Sequence, residues 1–159
     1  MSTLKEKHIL EAVNKITQLS EVELEEMSEK HTNDQVLFFS YLLSSAIEFE
    51  NDELLDLVAF YFNIYLEAAS IQQIKLRKID DDLIDDFHEE YTDTLDEYME
   101  TEDDDLIKSL CNQPAMLDFL LNEIHGEDED GGFLSDKMKS ELFIVGIAMV
   151  ALFNRAIIE

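Results

Sequence analysis

The run IDDDLIDDFHEEYTDTLDEYME, residues 79–100, decides how this chain folds. Its apolar stripe is Ile79, Leu83, Ile84, Phe87, Tyr91, Leu95 and Tyr98. They return every three to four positions, the period of a helix and not the alternation of a strand. Almost everything between them is carboxylate: residues 80–105 hold 15 Asp or Glu and no Lys or Arg. The pattern predicts a helix with one face buried and the opposite face anionic.

Working outward, the same period recurs along the chain. Residues 4–18 place Ile9, Leu10, Val13 and Ile16 on one face, and 21–30 read as a short acidic helix. Residues 33–48 and 52–70 are aromatic-rich and apolar nearly all round, as is 136–158 with its run Leu142–Phe153. Shorter helices are expected at 102–111 and 114–125. Helix starts are signalled by capping-box pairs, in which a hydroxyl and a side chain three residues on satisfy free backbone N–H groups. Thr3 with Glu6, Ser20 with Glu23 and Thr32 with Gln35 fit that pattern. Asn51, Thr101 and Ser135 offer simple caps, and Pro114 suits a first turn. Gly126 should stop the helix before it.

Four Gly and one Pro in 159 residues leave little material for the turns of a sheet protein, while 46% apolar residues suffice for a core. The expectation is an all-α, single-domain helical bundle of six to eight helices spanning 1–159. Its middle should be formed by 33–48, 52–70 and 136–158. Any apolar face these cannot cover would become the seam of a homodimer.

A formal charge of −27 excludes most direct binding to nucleic acid or an anionic membrane surface and favours basic partners or cations. The lone Cys111 precludes an internal disulfide and fits a reducing compartment. No basic stretch followed by an apolar one opens the chain, and Leu142–Phe153 is shorter than the ~20 residues of a membrane span. The cytoplasm is the expected location.

The carboxylates at 80–105 fall into pairs four residues apart, among them Asp81/Asp85, Asp82/Asp86, Asp86/Glu90 and Glu89/Asp93. Each such pair costs a helix about 0.2–0.5 kcal/mol. That cost is met either by a solvated face that keeps the protein dispersed or by a docking face for a basic protein. In the second reading Asp81, Asp82, Asp85, Asp86, Glu89, Glu90, Asp93, Asp96 and Glu97 meet the partner, with fast, salt-sensitive association. Cation binding by the same face is the third possibility.

Sites for chemistry are sparse. In the acidic loop 126–132, setting Gly131 as the sixth position of an EF-hand puts Gly126 first and Lys137 twelfth, where acids are required. Only Asp85-Asp86-Phe87-His88 approaches the Glu-x-x-His unit of a carboxylate-bridged metal pair. Cys111 has no His in local register, and glycine-rich phosphate loops are absent. A magnesium site has more substance: Glu26-Met27-Ser28-Glu29 is followed, after 23 intervening residues, by Glu53-Leu54-Leu55-Asp56. This resembles the Glu-x-x-Glu…Glu-x-x-Asp pattern of the all-α nucleoside triphosphate pyrophosphohydrolases. The resemblance implies that Glu26, Glu29, Glu53 and Asp56 hold Mg²⁺ against a triphosphate. The apolar helix between the two halves and the lack of a nearby basic cluster depart from it. Asp56, Glu53, Asn63 and Glu67 form a narrow polar stripe, read as the wet edge of their helix. The leading expectation is therefore an interaction protein without cofactor, of inhibitor, immunity or adaptor type. The Mg²⁺-dependent hydrolase is one alternative, and a helical domain with no activity readable from its sequence is the other.

Overall fold

In a computed structural model, which describes residues 2–128 and 130–159, the chain forms eight helices and no strand among the described residues. They are α1 (Glu6–Thr17), α2 (Glu21–Asp34), α3 (Val36–Ile47), α4 (Asp52–Gln72), α5 (Asp81–Thr101), α6 (Asp104–Cys111), α7 (Pro114–His125) and α8 (Asp136–Ala156). The fold is an all-α single-domain bundle.

Four starts follow the local chemistry. Ser20 and Glu23 close a reciprocal capping box, and Asn51, Asp80 and Ser135 each accept the N–H three residues on. Pro114 occupies the first turn of α7 and Gly126 ends it. Three expected caps are not used. Lys5, not Thr3, precedes α1, Asp103 replaces Thr101 ahead of α6, and Thr32 lies inside α2. Glycine is rare here partly because Gln73, Glu102 and Asn112 end α4, α5 and α6 in the left-handed conformation that glycine usually supplies.

The core is built around α4 and α8. Every residue from Tyr61 to Ala69 is buried, as is the whole run Val145–Phe153. By length and composition α4 could cross a membrane, yet α1, α2, α3 and α8 all pack on it here. The expectation for 33–48 is corrected. Helix α3 buries Phe38, Leu42 and Ala46 but leaves Val36 and Ile47 exposed, so it is a flank of the bundle and not its centre.

Two glutamines hold the connections. At the break between α2 and α3, buried Gln35 accepts from the Ile79 N–H (3.1 Å) and donates to the Arg77 carbonyl (2.9 Å). The extended link before α5 is thereby fixed, and it also pairs with the C-terminal residues: Arg77 N–H donates to Ala156 O and Ile158 N–H to Lys75 O. Buried Gln113 accepts from the Leu4 N–H and donates to Ser2 O and Asn154 Oδ1. The Ser2 N–H in turn donates to the Glu159 carboxylate at 2.8 Å, so the first and last segments meet.

Candidate functional site

Helix α5 lies at the edge of the bundle and turns the expected face inward. Phe87 and Tyr91 are buried, their rings stacked with centroids 5.4 Å apart, and the Tyr91 hydroxyl donates to the Ile144 carbonyl on α8. Burial pushes the Tyr91 phenol well above its ordinary pKa, so it stays a donor at any physiological pH. Tyr41 on α3 meets Phe87 edge-on and bonds His88 Nδ1 at 2.8 Å. These contacts fix the helix in rotation as well as position.

The opposite face carries Asp81, Asp82, Asp85, Asp86, Glu89, Glu90, Asp93, Asp96 and Glu97, all exposed. One of the nine, Glu90, forms an ion pair, with Arg155 of α8, whose guanidinium also lies over the Phe87 ring at 5.1 Å. The other eight have no cationic partner among the described residues. Asp86, Glu89, Glu90, Asp93, Thr94 and Glu97 border a shallow hollow of about 340 Å³. Five of these six lining residues are carboxylates, and one of the five, Glu90, already holds the Arg155 guanidinium.

The acids of the magnesium reading are not brought together. Helices α2 and α4 run in register through Ser28–Asn63 (3.2 Å) and His31–Glu67 (2.9 Å), which makes them parallel. At 1.5 Å per residue, Asp56 then lies about 10 Å and Glu53 about 15 Å along the axis from the level of Ser28, between Glu26 and Glu29. All four face solvent, and no group of three or more His, Cys, Asp or Glu is placed to hold a metal ion among the described residues. In the 126–132 loop, Asp128 Oδ1 accepts from the N–H groups of Asp130 and Gly132. Glu129 lies outside the described residues.

The polar stripe on α4 is a wet edge only at Glu53 and Asp56, and its other half is buried. Asn63 and Glu67 are each 6% exposed, covered by α1 and α2. Glu67 accepts from Lys15 at 2.6 Å and from His31 Nε2 at 2.9 Å. Burial alone would raise its pKa, but these two hydrogen bonds and their charges outweigh it and hold the carboxyl below the usual range. The lysine and the histidine lie 52 and 36 residues away, so no local pattern could have announced the cluster. On α8, buried Glu141 accepts from Asn51 Nδ2 at 2.9 Å, which joins the cap of α4 to the core helix. Cys111 is buried beside the Ile147 carbonyl, and burial pushes its thiol up to about 12, which keeps it protonated near neutral pH.

Compared with family models, curated proteins and solved structures, the chain matches none.

Proposed function

We propose that this protein acts by binding a basic protein partner on the outer face of α5, as an inhibitor, immunity or adaptor protein, in a reducing compartment such as the cytoplasm. The observation that carries the reading is the set of eight unpaired carboxylates held on one rigid, edge-lying helix. A solvated surface needs charge, but it does not need charge of one sign confined to one face at the repulsion this helix bears. Rigidity favours the reading further, because the carboxylates are positioned before an encounter and little ordering is required on association. Such a field accelerates encounter with a cationic surface and is screened by salt.

Affinity capture from the native source, with and without Asp85→Lys, Glu89→Lys and Asp93→Lys combined, tests this. A basic protein should be retained by the parent, released near 0.5 M salt (about a 4 Å screening length) and lost from the triple variant. Equal retention by the variant would falsify the proposal. The same variant serves as its own folding control. Reversal converts like-charge pairs with neighbours such as Asp81 and Glu97 into attractive ones at about 0.2–0.5 kcal/mol each, so its melting temperature should not fall.

A further inference from the structure

A second feature lies at the other end of α5. Between that end and α6, α7 and α8 is a cavity of about 460 Å³, within the range of small-ligand sites. Its floor is core: Ile107, Leu117 and Ile124 are buried. One wall is the tilted pair Tyr98 and Phe143, with ring centroids 5.7 Å apart. The position of the cavity has a packing cause. Gly146 lets α7 approach α8 closely at Leu120, since a Cβ there would lie 2.7 Å from Leu120 Cδ2. The cavity opens towards the loop end of the same helix pair, where Leu121, Ile124 and His125 face Lys139, Ser140 and Phe143.

The polar part of the lining says what belongs there. Lys108 and Lys139 both line the cavity, against a single acid, Asp104. Two ammoniums and one carboxylate leave this lining at +1, in a chain of −27. Neither lysine is ion-paired among the described residues, although Lys139 Nζ lies 5.8 Å from the Phe133 ring centroid. Lys15, Arg77, Lys137 and Arg155 serve the fold, while Lys5, Lys7, Lys30, Lys75 and Lys78 are likewise without an ion pair among the described residues, so what sets Lys108 and Lys139 apart is their place together on an apolar cavity. An apolar floor with two free cations at its mouth matches a molecule that is apolar at one end and anionic at the other. Glu100, Glu102, Asp103 and Asp105, adjacent in sequence to the lining residues Met99 and Asp104, add a negative field that opposes a polyanion such as a nucleotide several times more strongly than a single carboxylate.

We propose that this cavity binds an amphipathic monocarboxylate, with its apolar body on Ile107, Leu117, Ile124 and Phe143 and its carboxylate between Lys108 and Lys139. The site is independent of the acidic face and would stand if that face bound nothing.

Titration calorimetry of the full chain with decanoate, and with decanol as the uncharged control, tests it. Decanoate should bind saturably at one site, about tenfold more tightly than decanol, the worth of one hydrogen bond to a charged group. Lys108→Glu with Lys139→Glu should remove that preference, and the exposed change Ser140→Trp should block both ligands. Circular dichroism checks that each variant is folded, and the charge variant alone suffices if the other is not. The proposal is overturned by absence of saturable decanoate binding, by equal affinity for acid and alcohol, or by unchanged decanoate affinity in the charge-reversed protein.

Discussion

Glutamate 67 shows how much a single residue can carry when it is removed from water. Its carboxylate is enclosed by three helices and satisfied by one ammonium and one imidazole N–H. Replacing it with Gln keeps the shape but removes the charge, and should cost about 1–3 kcal/mol in denaturant unfolding at neutral pH. Because the folded-state pKa is depressed, this contribution is complete above the ordinary glutamate value of about 4.3 and fades as pH falls through the lower, folded value. The stability gap between parent and Glu67→Gln should therefore be constant at neutral pH and close below about pH 4; a gap that grew on acidification would contradict the assignment. Gln35 and Gln113 act at the same scale, each lending its amide to backbone groups of segments 42 to 111 residues away. Nothing in the neighbourhood of either residue marks it for that task. This is why Gln35 reads as a capping partner of Thr32 and is in fact a clamp on the link before α5.

At the scale of the element, legibility follows the range of the interactions. Ser20, Asn51 and Ser135 are readable because a cap is settled within three residues. The inward stripe of α5 is readable because one face of a helix is a matter of period alone. Thr32 is misleading because α2 continues past it, with His31 drawn onto Glu67 in its last turn. Helix α3 sits lower in the core than its composition suggests for a related reason: apolar content states what a helix can bury, and its neighbours decide how much it does bury. Helix pairs also expose one clear liability. Gly146→Ala would ordinarily gain about 1 kcal/mol in helix propensity. Here the added methyl meets both Leu120 methyls within 2.9 Å, and Leu120 is itself fully buried. Overpacking of about 1–3 kcal/mol should win, so thermal melting is expected to fall and not rise.

For the whole molecule, the uneven placement of charge matters more than its total. Fifteen acids crowd residues 80–105, whereas the core helices α4 and α8 keep the few charges they bury in contact with partners. Mutual repulsion on this scale weakens the compact state and is relieved by screening. Raising sodium chloride from about 10 mM to 150 mM shortens the screening length from about 30 to 8 Å and should raise the melting temperature measurably. A melting temperature indifferent to salt would mean that the repulsion is already balanced. The site residues were less legible than the fold, because the sequence displays where charges lie along the chain and not which of them the fold leaves unpaired. The separation of Glu26 and Glu29 from Glu53 and Asp56 depended on helix register, and the cavity under Lys108 and Lys139 on the packing of four helices.

The meeting of the first and last segments, through Gln113 and the contact between Ser2 and Glu159, has a consequence for topology. Two segments that touch in this way can be joined, and the chain then reopened elsewhere at little cost if the cut falls in an exposed loop. A circular permutant with a short glycine joint between residues 159 and 2, reopened between Gly126 and Glu127, should retain the eight helices, which circular dichroism would read as unchanged helicity.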